Sequence, residues 1–134
     1  MSAPYLIDRT LLDSLTAQAK ASPRLRMNYD LRNSAADQSQ RMLNALEPGT
    51  LMPIHRHMSS SETVICIRGH FVEKFYDEHG ILTDAVDMVP GGLMVNVPAG
   101  QWHNLESLES GTRPLGGGGT TTSIRASMIN VIEC

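Results

Sequence analysis

The sequence has few of the features that mark membrane, secreted or nucleic-acid-binding proteins. Its longest apolar run, residues 64–67, is far shorter than the roughly 18 apolar residues that a membrane span requires. The N-terminus lacks the basic start and apolar stretch of a secretory signal, and Cys66 and Cys134 are too few for a disulfide framework. We therefore expect a cytoplasmic protein that does not insert into membranes.

The sequence also has fewer basic than acidic residues. The chain has 11 Lys and Arg residues against 14 Asp and Glu residues, which gives a formal net charge of −3. A mildly acidic chain without a basic stripe is a poor match for nucleic acid. The partner that we expect is instead a small-molecule ligand or substrate.

Aromatic residues make up only 4% of the 134 residues, whereas there are 11 glycines and 7 prolines. Frequent turns and few large rings are typical of short strands in a β-sandwich or barrel, and less so of a helical bundle. At this length, with 41% hydrophobic residues, the chain is predicted to form one domain with one core.

One amphipathic helix is predicted over residues 8–21, within an N-terminal segment 1–23 that packs on the β domain. Asp8 can cap its start, and Leu11, Leu15 and Ala19 recur four residues apart. Pro23 ends the pattern. Because one face is apolar, we expect this helix to cover one side of a sheet.

Residues 24–112 read as a series of short apolar runs separated by turns, which predicts an antiparallel barrel or sandwich. Residues 41–46 suit a helix by propensity, but the Pro48-Gly49 turn leaves little room for one, and we interpret them as a strand. The predicted strands cover residues 24–31, 41–46, 51–57, 62–68, 71–77, 81–88, 93–97 and 102–108.

The tail, residues 113–134, has a different composition. Residues 113–123 are rich in Gly and Thr, which is typical of flexible linker, and we expect this to be the least ordered part of the chain. Residues 124–132 have a weak pattern that is compatible with one last strand.

A pair of histidines, His55 and His57, lies on a predicted strand and is weak evidence until it is combined with the residues that follow. A period of two places both imidazoles on one face, close enough to share a metal ion. A turn at residues 58–61 lets Glu62 open the neighbouring antiparallel strand and point back at the same ion. His103 follows a Pro-Ala-Gly turn as the first inward residue of a later strand.

Together these residues and their spacing match the two-part motif of the cupin superfamily, which the sequence closely resembles. The resemblance implies an all-β fold, a single small jelly-roll barrel with one N-terminal helix. It also implies one divalent metal ion bound by His55, His57, Glu62 and His103. The last motif position, usually Asn, is Ser107 here. The matching motif positions are Gly49, His55, His57, Glu62 and Gly69, followed by Gly92, Pro98, Gly100 and His103.

A narrower resemblance to the WbuC-type cupin-fold metalloproteins spans roughly residues 6–112. It is carried by SPRLR (22–26), NY (28–29), QRMLNALEPGT (40–50), PIHRH (53–57) and LESLESGT (105–112). It implies a homodimer from a group of small bacterial proteins, some encoded among polysaccharide biosynthesis genes. Members continue after this Gly-Thr with an apolar strand and a Gly-Pro-Tyr segment, whereas here Arg113 begins a Gly/Thr run, which indicates a divergent tail or an altered reading frame.

These observations leave two classes of function open. The first is a metal-dependent enzyme, of isomerase, epimerase, lyase or dioxygenase type, that acts on a small polar or sugar-like substrate. The second is a non-catalytic, metal-stabilised module that binds a ligand. Three imidazoles and one carboxylate suit Fe, Mn, Ni, Co or Zn. The sequence assigns no catalytic acid or base. A third interpretation, in which the histidines bind no metal, predicts that His57→Ala changes neither metal content nor stability.

Several other residues could belong to a functional site but are explained equally well as ordinary surface or core residues. His70 and His79 lie outside the motif and are expected to face solvent. Cys66 is expected to behave as a small buried hydrophobe, and Trp102 to pack outside the barrel mouth. Four polar residues of the first two strands fit a pocket or an ordinary surface equally well: Arg26, Tyr29, Arg41 and Asn44.

Overall fold

The computed structural model describes residues 3–109 and the backbone of residues 127–133. The described chain is mostly β with one helix, as the sequence predicts, and that helix is too short to cross a membrane. Its elements are α1 (Arg9–Ala21), β1 (Arg26–Asp30), β2 (Gln40–Leu46), β3 (Glu62–Arg68), β4 (Phe71–Tyr76), β5 (Leu82–Met88), β6 (Val95–Val97), β7 (Trp102–Ser107) and β8 (Ser127–Glu133).

Helix α1 forms where its cap and spacing predict. The Asp8 side chain accepts a hydrogen bond from the Leu11 backbone N–H at 3.0 Å, which satisfies one of the free donors of the first turn. Leu15 and Ala19 are buried on one face of the helix. That face packs against β1 and β2, so the helix covers the outer side of a sheet.

The strands form two antiparallel sheets. One has five strands in the order β1-β2-β8-β3-β6, and the other has three in the order β5-β4-β7. Strand β8 lies in the tail, where the sequence is compatible with one last strand, and it pairs with β2 on one side and β3 on the other. The low order expected of residues 113–123 concerns residues outside the described ones. Among the described strands no ladder joins the two sheets, so a closed barrel is not observed.

Two apolar clusters lie on opposite faces of the five-stranded sheet. The outer cluster, under α1, consists of Leu15, Ala19, Leu31, Leu43 and Ala45. The inner cluster, between the sheets, consists of Leu46, Val64, Cys66, Phe71, Met88 and Val97. Adjacent residues of β2 alternate between the two clusters, as a pleated strand requires.

The expected strand over residues 51–57 is wrong. This segment makes only one isolated bridge, between His55 and His103, and it is not hydrogen-bonded to β3. Pro53 has no N–H to donate, which removes one possible ladder bond. Glu62 therefore does not open a strand next to the histidine segment, because β3 pairs with β6 and β8. The expected strand over residues 93–97 is shortened to Val95–Val97.

Candidate metal centre

Backbone hydrogen bonds hold the histidine segment against β7. The N–H of His55 donates to the carbonyl of His103 at 3.0 Å, and the N–H of His103 donates to the carbonyl of His55 at 2.9 Å. Nearby, the N–H of Gly100 donates to the carbonyl of His57 at 2.8 Å. These bonds bring the two histidine-bearing segments of the sequence together, although they are far apart along the chain.

The three imidazole rings form a cluster. Ring centroids are 4.4 Å apart for His55 and His103, 5.3 Å for His55 and His57, and 5.8 Å for His57 and His103. One nitrogen from each ring lies within 4.8 Å of a nitrogen of each of the others. His103 is buried, and the other two are half-buried. The cluster is therefore open on the side of His55 and His57.

Two of the rings are oriented by backbone carbonyls. His55 Nδ1 lies 2.9 Å from the Pro53 carbonyl oxygen, and His103 Nδ1 lies 2.8 Å from that of Gln101. A carbonyl oxygen only accepts, so Nδ1 donates in each pair, and in the neutral ring Nε2 keeps its lone pair. Metal-binding histidines in proteins are typically fixed in this way.

Glu62 reaches the cluster from the opposite sheet. Its Oε1 lies 3.0 Å from His103 Nε2 and its Oε2 lies 3.3 Å from His57 Nε2. The first pair lacks the alignment of a hydrogen bond, and His103 Nε2 is buried without another partner among the described residues. A lone pair facing a carboxylate oxygen at this distance is repulsive unless a proton or a cation lies with them.

Burial and charge act in opposite directions on these groups. Burial by itself raises the pKa of Glu62, but contact with His103 and the field of the imidazoles outweigh it, so the pKa lies below its ordinary value. Burial lowers the pKa of His103, but Glu62 outweighs this and the pKa is raised. For His55 burial dominates and lowers the pKa, which favours the neutral ring that a metal ion requires.

A second carboxylate, which the sequence interpretation missed, lies beside the cluster. Glu73 of β4 has no exposed surface, and neither of its carboxylate oxygens has a hydrogen-bond partner among the described residues. Burial raises its pKa to about 8. The available signal was its position, because Glu73 lies two residues from both Phe71 and Phe75 on β4 and so shares their inward face.

The cluster lines a cavity of about 510 Å³ between the sheets. The same cavity is lined by the inward residues Arg26 of β1 and Asn44 of β2, and by Arg41, which has the parity of the outward Leu43 and Ala45. Tyr29 does not line the cavity, because it alternates with Asn28 and faces outward, with 37% of its surface exposed. Three of the four polar residues left open by the sequence therefore belong to the cavity wall.

The remaining candidates lie outside the cluster. His79 is exposed, as expected, and His70 is half-buried with its Nε2 2.8 Å from the exposed Asp87. Cys66 is buried in the inner cluster, as expected, and burial raises the pKa of its thiol to about 11. Trp102 lies beneath the Arg56 guanidinium, 4.3 Å from the ring centroid.

The residues present fit a divalent metal ion. They supply three imidazole rings, a carboxylate in contact with two of them, and a buried nitrogen that has no hydrogen-bond partner in the described part of the chain. This donor chemistry suits a transition metal and does not discriminate among several of them. His55, His57, Glu62 and His103 thus lie together and can form a metal site.

Comparison with solved structures shows a cupin fold. The chain is similar to TT1209 from Thermus thermophilus, with 17% identity, a TM-score of 0.61 and coverage of 96% of this chain and 95% of that one. It is similar to an RmlC-like cupin family protein from Methanocaldococcus jannaschii, with 15% identity, a TM-score of 0.59 and coverage of 100% and 91%. It is also similar to KdgF from Halomonas sp., with 12% identity, a TM-score of 0.58 and coverage of 84% and 82%.

No curated protein matches the sequence. Residues 7–88 match the family described as "Domain of unknown function (DUF6016)", and this range includes α1, the first five strands and three of the four clustered side chains. The chain therefore belongs to the DUF6016 family and has a cupin fold.

Proposed function

We propose that this protein is a metal-dependent enzyme that acts on a small polar or sugar-like substrate, with one divalent transition metal ion held by His55, His57, Glu62 and His103. The observation that carries the proposal is the contact of a buried histidine nitrogen with a buried carboxylate oxygen at 3.0 Å, without hydrogen-bond alignment. Such a pair is satisfied when both atoms face the same cation. The reaction classes that fit are isomerase, epimerase, lyase and dioxygenase.

The protein groups have separate roles in this proposal. The carbonyls of Pro53 and Gln101 fix two rings so that their Nε2 atoms face the site. With four protein ligands, the single carboxylate of Glu62 leaves the site a net charge of +1, which attracts a carboxylate or hydroxyl oxygen. A bound ion supplies Lewis-acid stabilisation of charge on that oxygen or, if it is redox-active, dioxygen chemistry. Fe, Mn, Ni, Co and Zn all suit the donors.

In this proposal the substrate binds in the cavity between the two sheets. Its volume of about 510 Å³ lies in the range of small-molecule sites, and its wall includes the histidine cluster as well as polar residues of β1 and β2. Arg26 and Asn44 in that wall are suited to bind oxygen atoms of a ligand that also contacts the metal. A small molecule with several oxygen atoms fits this arrangement.

The finer classification is part of the same proposal. We propose that the two sheets belong to a closed jelly-roll barrel and that the protein is a WbuC-type cupin, a cytoplasmic homodimer linked to bacterial polysaccharide biosynthesis. The motif spacing and the sequence segments shared with that group support this. Size-exclusion chromatography with light scattering tests the dimer, since a mass near 14.7 kDa contradicts it.

Metal analysis of protein purified without a histidine tag tests the metal centre. We expect near-stoichiometric metal in the wild type and at least a tenfold loss in His103→Ala. His79→Ala is the matched control, because His79 is exposed in a turn away from the cavity, and it should retain wild-type metal content. Equal metal content in all three proteins contradicts the proposal.

A non-catalytic binding module is the second candidate. It is favoured by the charged groups along the cavity wall, several of which are already paired: Arg32 contacts Asp30 at 2.8 Å and Arg41 contacts Asp37 at 3.5 Å. Groups engaged in this way are less available for proton transfer. Metal-loaded protein that is stabilised by sugars or organic acids but turns none of them over supports this candidate, whereas turnover that stops on chelation supports the enzyme.

A further inference from the structure

Glu73 is a buried carboxylate that neither the cupin motif nor the proposed ligand set uses. Its side chain has no exposed surface, yet it is one of the residues that line the cavity. Neither oxygen has a hydrogen-bond partner among the described residues. Buried carboxylates in proteins are paired or bind metal ions, because an isolated one is costly. This carboxyl group therefore lies buried in the cavity wall with no hydrogen-bond partner among the described residues.

The immediate neighbours of Glu73 are two of the proposed ligands. One ligand atom each from Glu62, Glu73 and His103 lie within 4.8 Å of one another. All three residues are buried. His103 belongs both to this group and to the group of three histidines. Because its Nδ1 is engaged with the Gln101 carbonyl, Nε2 is the atom that can bind an ion in either group. An atom bound at that nitrogen therefore lies within reach of both carboxylates.

The pairing of β4 with β7 explains why Glu73 lies close to His103. Phe75 pairs with His103 in the ladder between β4 and β7, and Glu73 lies one inward position further along β4, opposite Leu105. The inner face of β4 otherwise carries Phe71, which is fully buried, and Phe75. A carboxylate between two phenylalanines does not serve packing, since an apolar side chain of the same size fills that space without the cost of desolvation.

We infer that Glu73 is a fifth protein ligand of the metal ion, an inference that rests on the proposed metal centre. Two ligand atoms of one ion, each about 2.0–2.2 Å from it, are at most about 4.4 Å apart. The ligand atoms of Glu62, Glu73 and His103 all lie within 4.8 Å of one another, so at most a small side-chain adjustment brings them to the distances that one ion requires.

A second carboxylate changes what the site can bind. Two carboxylates neutralise a divalent ion, so the net charge of the site falls from +1 to zero. Five protein ligands leave one position on a six-coordinate ion instead of two. A set of three imidazoles and two carboxylates also shifts preference towards ions that accept oxygen ligands, such as Mn or Fe. The substrate that fits is then a neutral, hydroxyl-bearing molecule bound through one oxygen.

Cobalt binding to wild type and Glu73→Gln tests this inference. Gln has nearly the same shape but no charge, and Glu106→Gln is the matched control, because Glu106 lies on the surface and contacts Lys74. Each protein is stripped with chelator and titrated with Co²⁺, and both the Kd and the visible absorption are recorded. We expect Glu73→Gln to raise the Kd at least tenfold and to intensify the absorption bands as coordination number falls, with Glu106→Gln unchanged.

The outcomes separate this inference from the metal centre itself. If Glu73→Gln keeps the wild-type Kd, or weakens binding with an unchanged spectrum, Glu73 is not a ligand, and the four-residue metal centre stands. If the wild type itself binds no Co²⁺, both proposals fail. Circular dichroism checks the fold. Should Glu73→Gln not fold, Glu73→Asp keeps the charge with a shorter reach, and a wild-type spectrum and Kd in that variant overturn the inference.

Discussion

The two faces of the five-stranded sheet are built from the same strands but differ in chemistry. On the outer face, Leu43 and Ala45 of β2 pack under Leu15 and Ala19 of α1, and the outer cluster is entirely apolar. On the inner face, the apolar cluster adjoins buried ionisable side chains, namely Glu62 of this sheet and Glu73 of the facing three-stranded sheet.

This difference separates stability from function within one sheet. Apolar burial stabilises a fold without specific partners, whereas buried charges are costly unless they are paired or bind a cation. The outer face therefore serves mainly to hold the helix, and the inner face carries groups that lower stability in the absence of a ligand. Substitutions on the outer face should accordingly change the free energy of unfolding, and substitutions on the inner face should change metal binding.

Leu43→Ala should weaken the packing of the outer face and leave the metal site unchanged. Leu43 is fully buried in the outer cluster, and removing a buried leucine side chain of this kind costs about 3 kcal/mol of unfolding free energy. Urea unfolding in the presence of chelator measures the loss. The Kd for Co²⁺ should stay at its wild-type value under conditions where the variant is folded. A loss below about 1 kcal/mol contradicts the assigned packing role.

Metal addition should act through the inner face alone. A ligand that binds only the folded protein, present at one hundred times its Kd, stabilises it by about 2.7 kcal/mol. We expect Co²⁺ to produce this gain in the wild type and in Leu43→Ala, but not in His55→Ala. Thermal unfolding with and without Co²⁺ measures it. A comparable gain in His55→Ala shows that the ion binds elsewhere.

Asp8→Ala should weaken the outer face slightly by removing the helix cap. The Asp8 side chain accepts from the Leu11 N–H, and loss of such a cap costs about 1 kcal/mol. Asp8→Asn keeps an acceptor oxygen and should lie close to wild type. Urea unfolding compares the three proteins. Metal affinity should not change, and equal stability of Asp8→Ala and Asp8→Asn excludes the capping role.

The reactivity of the Cys66 thiol should show whether the inner cluster stays packed, without any substitution in that cluster. Burial raises its pKa to about 11, so at pH 8 only about one thiol in a thousand is ionised, and this fraction rises tenfold per pH unit up to the pKa. With Cys134 replaced by Ser, reaction with a disulfide reagent should be slow at pH 8 and accelerate with pH. Reaction at the rate of an unfolded control at pH 8 contradicts this.

The helix and the strands were predictable because their signals are local. The cap and the four-residue spacing of α1 lie within one short segment, and β2 could be recognised from its length between turns. The segment at residues 51–57 was misinterpreted because a strand also needs a partner. Its partner is His103, and the alternation of side chains does not reveal that only one bridge forms.

The candidate site was predictable only in part, for the same reason. Motif spacing identified His55, His57, Glu62 and His103, and the structure brings them together. The predicted pairing of the Glu62 strand with the histidine segment was wrong, because strand order in a sheet is set by contacts that are distant in sequence. Glu73 was missed because a charged residue in a strand is usually placed on the solvent side, and only its parity with Phe71 indicates otherwise.

The stacking of Arg56 on Trp102 gives the molecule a built-in optical probe. Trp102 is the sole tryptophan of the chain, its neighbour in sequence is His103, and Arg56 lies between His55 and His57. The only indole of the chain therefore lies directly beside the histidine cluster, and its fluorescence can be recorded in unlabelled protein while an ion is added.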